Sequence, residues 1–163
     1  MELDSFDLRL LGALQENSAL TNQQLGERIG LSASQVSRRR QTLEGEGIIR
    51  RYRADLATER LGFAVTAFVG VTLGAHSREN ARRFRAMVQA MPEVQEAHTL
   101  TGDVDYMLKI VVPDLKALSR VINDDLLPHE AVQHVRSSIA MDTLKDDNQL
   151  PLGSGGVVPG RGT

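Results

Sequence analysis

Apolar residues in the first third of the chain recur at helical intervals. Leu8, Leu11 and Leu14 share one face of a helix predicted from Leu3 to Asn17, with Asp4 as its cap and Asp4 and Asp7 near its positive end. Leu25, Ile29 and Leu31 line one side of a second, short helix and the turn after it, and Gly30 stands where that helix must stop. Ser32 with Gln35 then has the form of a capping box, in which side chain and backbone satisfy each other's orphan groups at a helix start. Thr21 with Gln24 repeats the box ahead of the second helix. The run from Asn22 to Leu43 therefore reads cap, helix, glycine turn, cap, helix. That is a helix-turn-helix, whose second helix enters the DNA major groove, and the Leu3 helix supplies the third wall of its core.

Taking about 100° per residue from Val36 sets out the faces of the second helix. Val36 and Leu43 fall together on the buried side, with Ala33 close to them and Arg40 at its edge. Opposite lie Ser34, Arg38 and Gln41, flanked by Gln35 and Ser37. Arginine and glutamine can pair with base edges, and serine allows close approach to phosphates. Ser34, Gln35, Ser37, Arg38, Arg39 and Gln41 are the candidate DNA contacts, Arg38 foremost. Arg39 and Arg40 point to the flanks, toward phosphates or carboxylates such as Glu44.

Gly45 and Gly47 end this helix, and IIRRYRADL alternates in part, predicting a short strand leading away. From Phe63 the periodicity changes to strand, helix, strand, strand, helix, strand. The strands are FAVTAFVGVTL, VQEAHTL, DYMLKIVV and AVQHVRSSIAM. The helices are SRENARRFRAMVQAMPEV, started by Ser77 and stopped around Pro92, and DLKALSRVINDDLL, capped by Asp114 with Leu115, Leu118, Val121 and Ile122 inward. This order predicts a ferredoxin-like βαββαβ fold with both helices on one face of an antiparallel sheet. The other face needs a cover, and apolar residues on both sides of FAVTAFVGV make a second copy the natural one. The expected class is α+β. Its parts are a helix-turn-helix, winged-helix-like domain over 1–53, a linker over 54–62, the ferredoxin-like domain over 63–152, and a mobile glycine-rich tail over 153–163.

Composition narrows the partners. At 163 residues with 41% hydrophobic and 25% charged, the chain is ordinary for a globular protein, and with no cysteine it has no disulfide or thiolate metal chemistry. An acidic, amphipathic start and the lack of a long apolar run point to a cytoplasmic protein without a membrane partner. The net charge is only −2, but from Arg38 to Arg53 six arginines face two acids, Glu44 and Glu46. Positive charge is thus focused beside the second helix. So few phosphate contacts per copy imply that several copies bind together and that affinity falls steeply with salt. His76, His98, His129 and His134 have no metal-ligand spacing, and no acid, base and nucleophile stand together. No metal, cofactor or catalytic residue is expected.

The layout resembles the Lrp/AsnC family of transcription regulators. The resemblance is carried by LDSFDLRLLGALQEN, LGERIGLSASQVSRRRQTLEGEGII, TGDVDYMLKIVVPD and RSSIAMDTLKD, in that order, over roughly Leu3 to Leu152. It implies a DNA-binding head and a ligand-sensing domain, homodimers that assemble further into octamers, and an amino-acid effector at the dimer interface. Its effector loop maps onto Thr101, Gly102, Asp103, Val104 and Asp105, with a partner's last strand contributing Val135 and Ser137. Hydroxyl residues often stand at those last two positions, and LLPHEAV is longer than the frequent Leu-Pro-Gly-Val turn. The chemistry of the loop agrees: a glycine turn exposes N–H donors for a carboxylate, and Asp103 and Asp105 offer acceptors for an ammonium. The competing reading is a hairpin whose aspartates bond their own backbone. Two other functions fit the same frame. One is an enzyme resembling sirohaem decarboxylases, with His98 as its candidate group, and the other is a DNA organiser without an effector.

Overall fold

The computed structural model describes residues 2–74 and 77–152, so His76 and the tail from 153 onward lie outside the described residues. The chain divides into two compact units. One holds the residues up to Asp55 together with the segment from Lys145, and the other runs from Leu56 to Leu144. The described residues from Lys145 to Leu152 group with the first unit. The reason is a two-way pairing in which the Gln15 amide donates to the Leu150 carbonyl at 3.1 Å and accepts the Leu150 N–H at 2.7 Å.

In the head, α1 (Ser5–Glu16), α2 (Asn22–Ile29) and α3 (Ala33–Gly45) each begin at a reciprocal capping box, set by Asp4 with Asp7, Thr21 with Gln24 and Ser32 with Gln35. Gly30 ends α2 at φ 79°, a left-handed conformation that glycine adopts without steric cost. Leu10, Ala13, Leu14, Leu25, Ile29, Val36 and Leu43 form the core. The buried face of α1 is turned slightly from the expected one, since Leu8 and Leu11 are only half-buried. Each fully buried aliphatic side chain contributes roughly 1.5–3 kcal/mol, enough in sum to hold three short helices that could not persist alone.

The strand expected over IIRRYRADL does not form, and residues 50–57 carry no regular structure. Alternation can dispose a segment to extend, but a strand exists only when its N–H and C=O groups meet a neighbouring ladder. Among the described residues no strand pairs with it.

The second unit contains β1 (Val65–Leu73), α4 (Arg78–Ala90), β2 (Val94–Thr99), β3 (Tyr106–Val112), α5 (Leu115–Arg120) and β4 (Val132–Ile139). All strand pairs are antiparallel, in the order β2-β3-β1-β4, as a ferredoxin-like fold requires. Alternation sends Ala67, Val69, Val71 and Leu73 of β1 toward Phe84, Val88, Leu118 and Val121 of the helices. The opposite alternation leaves Phe68 44% exposed, beside Lys109 of β3 and Ser138 of β4. The second helix is interrupted: Val121–Leu126 is a π-helical stretch, with Leu127 N–H donating to the Ile122 carbonyl at 2.9 Å. Asn123 donates its side-chain amide to the Ser119 carbonyl at 2.8 Å, occupying an acceptor of the regular ladder. Leu115, expected inward, is 58% exposed because the α-helical part is one and a half turns long and opens at that residue.

Candidate functional site

The exposed polar face of α3 is built by what its other faces do. Val36 and Leu43 are fully buried, which fixes the rotation of the helix and leaves Ser34, Gln35, Arg38 and Gln41 exposed, with Ser37 half-buried beside them. The Arg38 guanidinium has no hydrogen bond or ion pair among the described residues, so its donors are free. Ser34 Oγ lies 3.1 Å from Ser32 Oγ, and Gln35 accepts the Ser32 N–H at 2.9 Å through Oε1. Gln35 therefore keeps only its amide NH₂ for a ligand.

Of the two partners expected for Arg39, phosphate or carboxylate, the structure shows the carboxylate. Its Nη1 lies 2.6 Å from Asp7 Oδ1 and 2.8 Å from Asp4 Oδ2, and its guanidinium sits 5.5 Å from the Phe6 ring centre. Asp7 is the buried charge of the head at 7% exposure, so Arg39 neutralises a carboxylate that burial would otherwise penalise. Its guanidinium is thereby engaged within the head. Arg40 is held on the other flank, donating to Asn22 Oδ1 at 3.0 Å and to the Tyr52 hydroxyl at 3.3 Å. Tyr52, which sequence reasoning passed over, donates in turn to Glu44 Oε1 at 2.7 Å.

The α1 cap carries a pH dependence. The Asp4 carboxyl is held below its ordinary range, first by the Asp7 N–H it accepts and further by Arg39. Because the folded value lies below the unfolded one, this contribution is complete above the unfolded carboxylate pKa of about 4 and drains away as pH falls through the folded value. We expect α1 amide protection in hydrogen exchange to weaken below about pH 4, and Asp4→Asn, which keeps an acceptor, to flatten that dependence.

The loop from Thr101 to Asp105 is organised differently from an open cradle. Gly102 has φ 134°, but Asp105 is a latch: its N–H donates to the Val71 carbonyl at 3.0 Å, and its Oδ2 accepts the Leu73 N–H at 2.7 Å. A side chain thereby continues the β1–β3 ladder past its last residue pair. Thr101 and Asp103 are exposed, and Asp103 offers its carbonyl to the Thr72 hydroxyl at 3.4 Å. Val104 lies over Gly70, where an added Cβ would meet its Cγ1 at 3.0 Å. An isolated glycine inside an apolar strand is the signal that foretells such a close approach.

Beside the latch, Leu73, Ser77, Arg78, Ala81, Thr99, Asp105 and Tyr106 line a pocket of about 230 Å³. Arg78, Thr99 and Ser77 were not among the expected effector residues, because they come from two separate stretches of chain, the start of α4 and the end of β2. Val135 and Ser137 do not join the loop within one chain. They pair with Val71 and Val69 across β1, on the side away from β3, and Val135 packs against the core. Asp105→Ala should lower the stability of this unit by about 1–3 kcal/mol through the orphaned Leu73 N–H, whereas Asp105→Asn should retain most of it. Urea unfolding of the two variants measures the difference.

The remaining histidines do not converge. His98 is exposed on β2, 3.4 Å from Glu96 Oε2, and His129 stacks edge-on against Phe84 at 5.6 Å. No group of three or more metal-ligating side chains forms among the described residues, nor is any helix among them long and apolar enough to cross a membrane.

Comparison with known proteins agrees with this layout. Residues 3–44 match the AsnC-type helix-turn-helix domain, and residues 66–150 match the Lrp/AsnC ligand binding domain. The chain is 37% identical to the transcriptional regulator AzlB of Bacillus subtilis over 150 residues, covering 92% of this chain and 96% of that one. It is 34% identical to the leucine-responsive regulatory protein of Escherichia coli over 151 residues, covering 93% and 92%. Its structure resembles that of a Neisseria meningitidis transcriptional regulator solved with L-methionine, at a TM-score of 0.89 and 38% identity, covering 93% and 97%.

Proposed function

The chain belongs to the Lrp/AsnC family of transcriptional regulators, and from that premise we propose that it couples the concentration of an amino acid to the occupancy of specific DNA sites in the cytoplasm. The observation that carries the DNA half is the free guanidinium of Arg38 at the centre of an exposed polar face, with Ser34, Ser37 and Gln41 around it. Arginine can donate two parallel bonds to a guanine edge, and glutamine can pair with adenine. One such helix contacts only a few bases, so specificity calls for two copies on a repeated half-site.

The effector half is supported by the pocket at Asp105. An amino acid needs an acceptor for its ammonium and donors for its carboxylate, and Asp105 and Arg78, which line the pocket, are the candidates. The relative solved with L-methionine shows that this kind of ligand suits the frame of that protein. Pairing of copies over the sheet face that carries Phe68 would cover that ring, whereas Val135 and Ser137, opposite Val71 and Val69, lie on the helix side of the sheet. Repetition of such contacts would yield the higher assembly, such as an octamer. The proposed role is regulatory and needs no catalytic step.

The test is nuclease protection of the DNA upstream of the protein's own gene, alone and with each of the twenty amino acids, beside a thermal melt of each mixture. We expect a protected region with half-sites one helical turn apart, altered by one or a few amino acids. The same amino acids should raise stability, by about 2.7 kcal/mol at a hundredfold excess over Kd. A footprint and melting point indifferent to every amino acid would leave a DNA organiser as the better description. No protection at all would end the regulator reading.

A further inference from the structure

Past α3 the chain runs as a short bridge along the flank of the reading helix, and both of its ends are anchored. At the start, the N–H groups of Ile48 and Ile49 both donate to the Leu43 carbonyl, at 2.9 and 3.1 Å, and Ile49 packs against the head core. Gly47, at φ 71°, makes that sharp exit possible. At the other end, Tyr52 binds Glu44 and Arg40 through its hydroxyl, and the Arg40 guanidinium lies 5.1 Å from its ring centre. Arg50 and Arg51 sit between the anchors and Arg53 just beyond. All three are exposed, and none has a hydrogen bond or ion pair among the described residues.

Carboxylates of α1 and α3 that could pair with arginine are taken by other groups. Glu44 is engaged by Tyr52, while Asp7 and Asp4 are engaged by Arg39. Of the six arginines between 38 and 53, the head neutralises or ties down Arg39 and Arg40 and leaves four free. By helical angle, Arg40 and Glu44 border Ser37 and Gln41, so the bridge adjoins the reading face on one side. The opposite flank of α3 is where Arg39 meets the acids of α1. The cationic border is therefore one-sided.

We propose that Arg50, Arg51 and Arg53 form a phosphate clamp that grips the duplex backbone beside the groove occupied by α3, with Tyr52 as the positioning residue that holds the clamp in place. The inference rests on the regulator reading and adds to it a second, sequence-independent contact. A major groove about 12 Å wide is walled by phosphates on both sides, and a duplex carries one charge per roughly 1.7 Å of axis. Three free guanidiniums fixed along one border of a groove-reading helix match that wall. The bridge thus stands where a winged helix would carry its hairpin.

The test uses full-length protein and two fluorescent duplexes, one selected from a random pool for tightest binding and one of scrambled sequence, titrated from low to moderate salt. Replacing all three arginines with alanine should weaken both duplexes by a similar factor. It should also flatten log K against log salt by about 0.9 per lost phosphate contact, hence by up to about 2.7 per copy. The triple lysine variant should keep the slope. Tyr52→Phe, which changes no charge, should weaken both duplexes several-fold by releasing the bridge, with circular dichroism unaltered. An unchanged slope in the alanine variant, while the parent binds DNA, overturns the clamp and leaves the regulator reading intact. So does a loss confined to the selected duplex, which would make the arginines base readers. So does a change of oligomeric state with the slope preserved, which would assign them to a protein contact. A parent chain that binds neither duplex overturns both readings together.

Discussion

Gly26→Ala should cost the head more stability than any other single methyl added to it. A Cβ at this position would stand 2.3 Å from the Leu31 carbonyl oxygen and 3.3 Å from its carbon. Both atoms belong to backbone that cannot step aside, because the turn is wound onto Gly26 itself: the N–H groups of Gly30 and Leu31 both donate to its carbonyl, at 2.8 and 2.9 Å. Relieving the contact means opening the turn that sets α3 against α2. The expected loss is at the top of the roughly 1–3 kcal/mol range for an overpacked site, or beyond it. It should appear as faster hydrogen exchange in α2 and α3 while β1 and β3 keep their protection. Gly12→Ala is the control. Its added methyl meets nothing within 4 Å, in the middle of α1, and should be neutral or stabilising by about 0.5–1 kcal/mol. Equal effects from the two substitutions would show that helix propensity, and not the turn, governs the head.

The largest functional effect should come from Arg38→Ala. The side chain is exposed and unpaired, so the fold should be unchanged within about 0.5 kcal/mol. Specific DNA affinity should drop by about 10–100-fold for each half-site, the range for losing one bidentate base contact of roughly 1–3 kcal/mol. Arg38→Lys keeps the charge but not the planar fork, and should recover scrambled-sequence binding while leaving specific binding weak. Arg39→Ala should do the reverse, destabilising the head by exposing the buried Asp7 to an unpaired state. Competition titrations against both kinds of duplex, with melting curves, separate these patterns. Retention of full specificity by Arg38→Ala would move the reading surface elsewhere.

The contrast between these two neighbouring arginines shows where sequence reasoning stopped. Helical angle alone set Arg38 opposite Val36 and put Arg39 on a flank, and the structure agrees with both placements. What the flank faces depends on how α1 crosses α3, and that crossing brings Asp4 and Asp7 within 2.8 Å of a residue more than thirty positions away. Asp105 is a parallel case. Its place beside a glycine turn was legible, but its choice of the Leu73 N–H as partner follows from the register of β1 on β3. The unformed strand over IIRRYRADL errs in the opposite direction, since alternation was present but the ladder was not.

Local pattern by itself determined the capping boxes at Thr21 and Ser32, the glycine stop at Gly30, the buried stripe of α3 and the βαββαβ order. Each of these depends on residues within a few positions of one another, where spacing and turn chemistry leave little freedom. Only the tertiary structure decided which charges are free and which are held, why Gly26 must lack a side chain, and that the chain from Lys145 returns to α1. Those outcomes depend on distances between segments far apart in the chain, and such distances exist only once the apolar faces have packed.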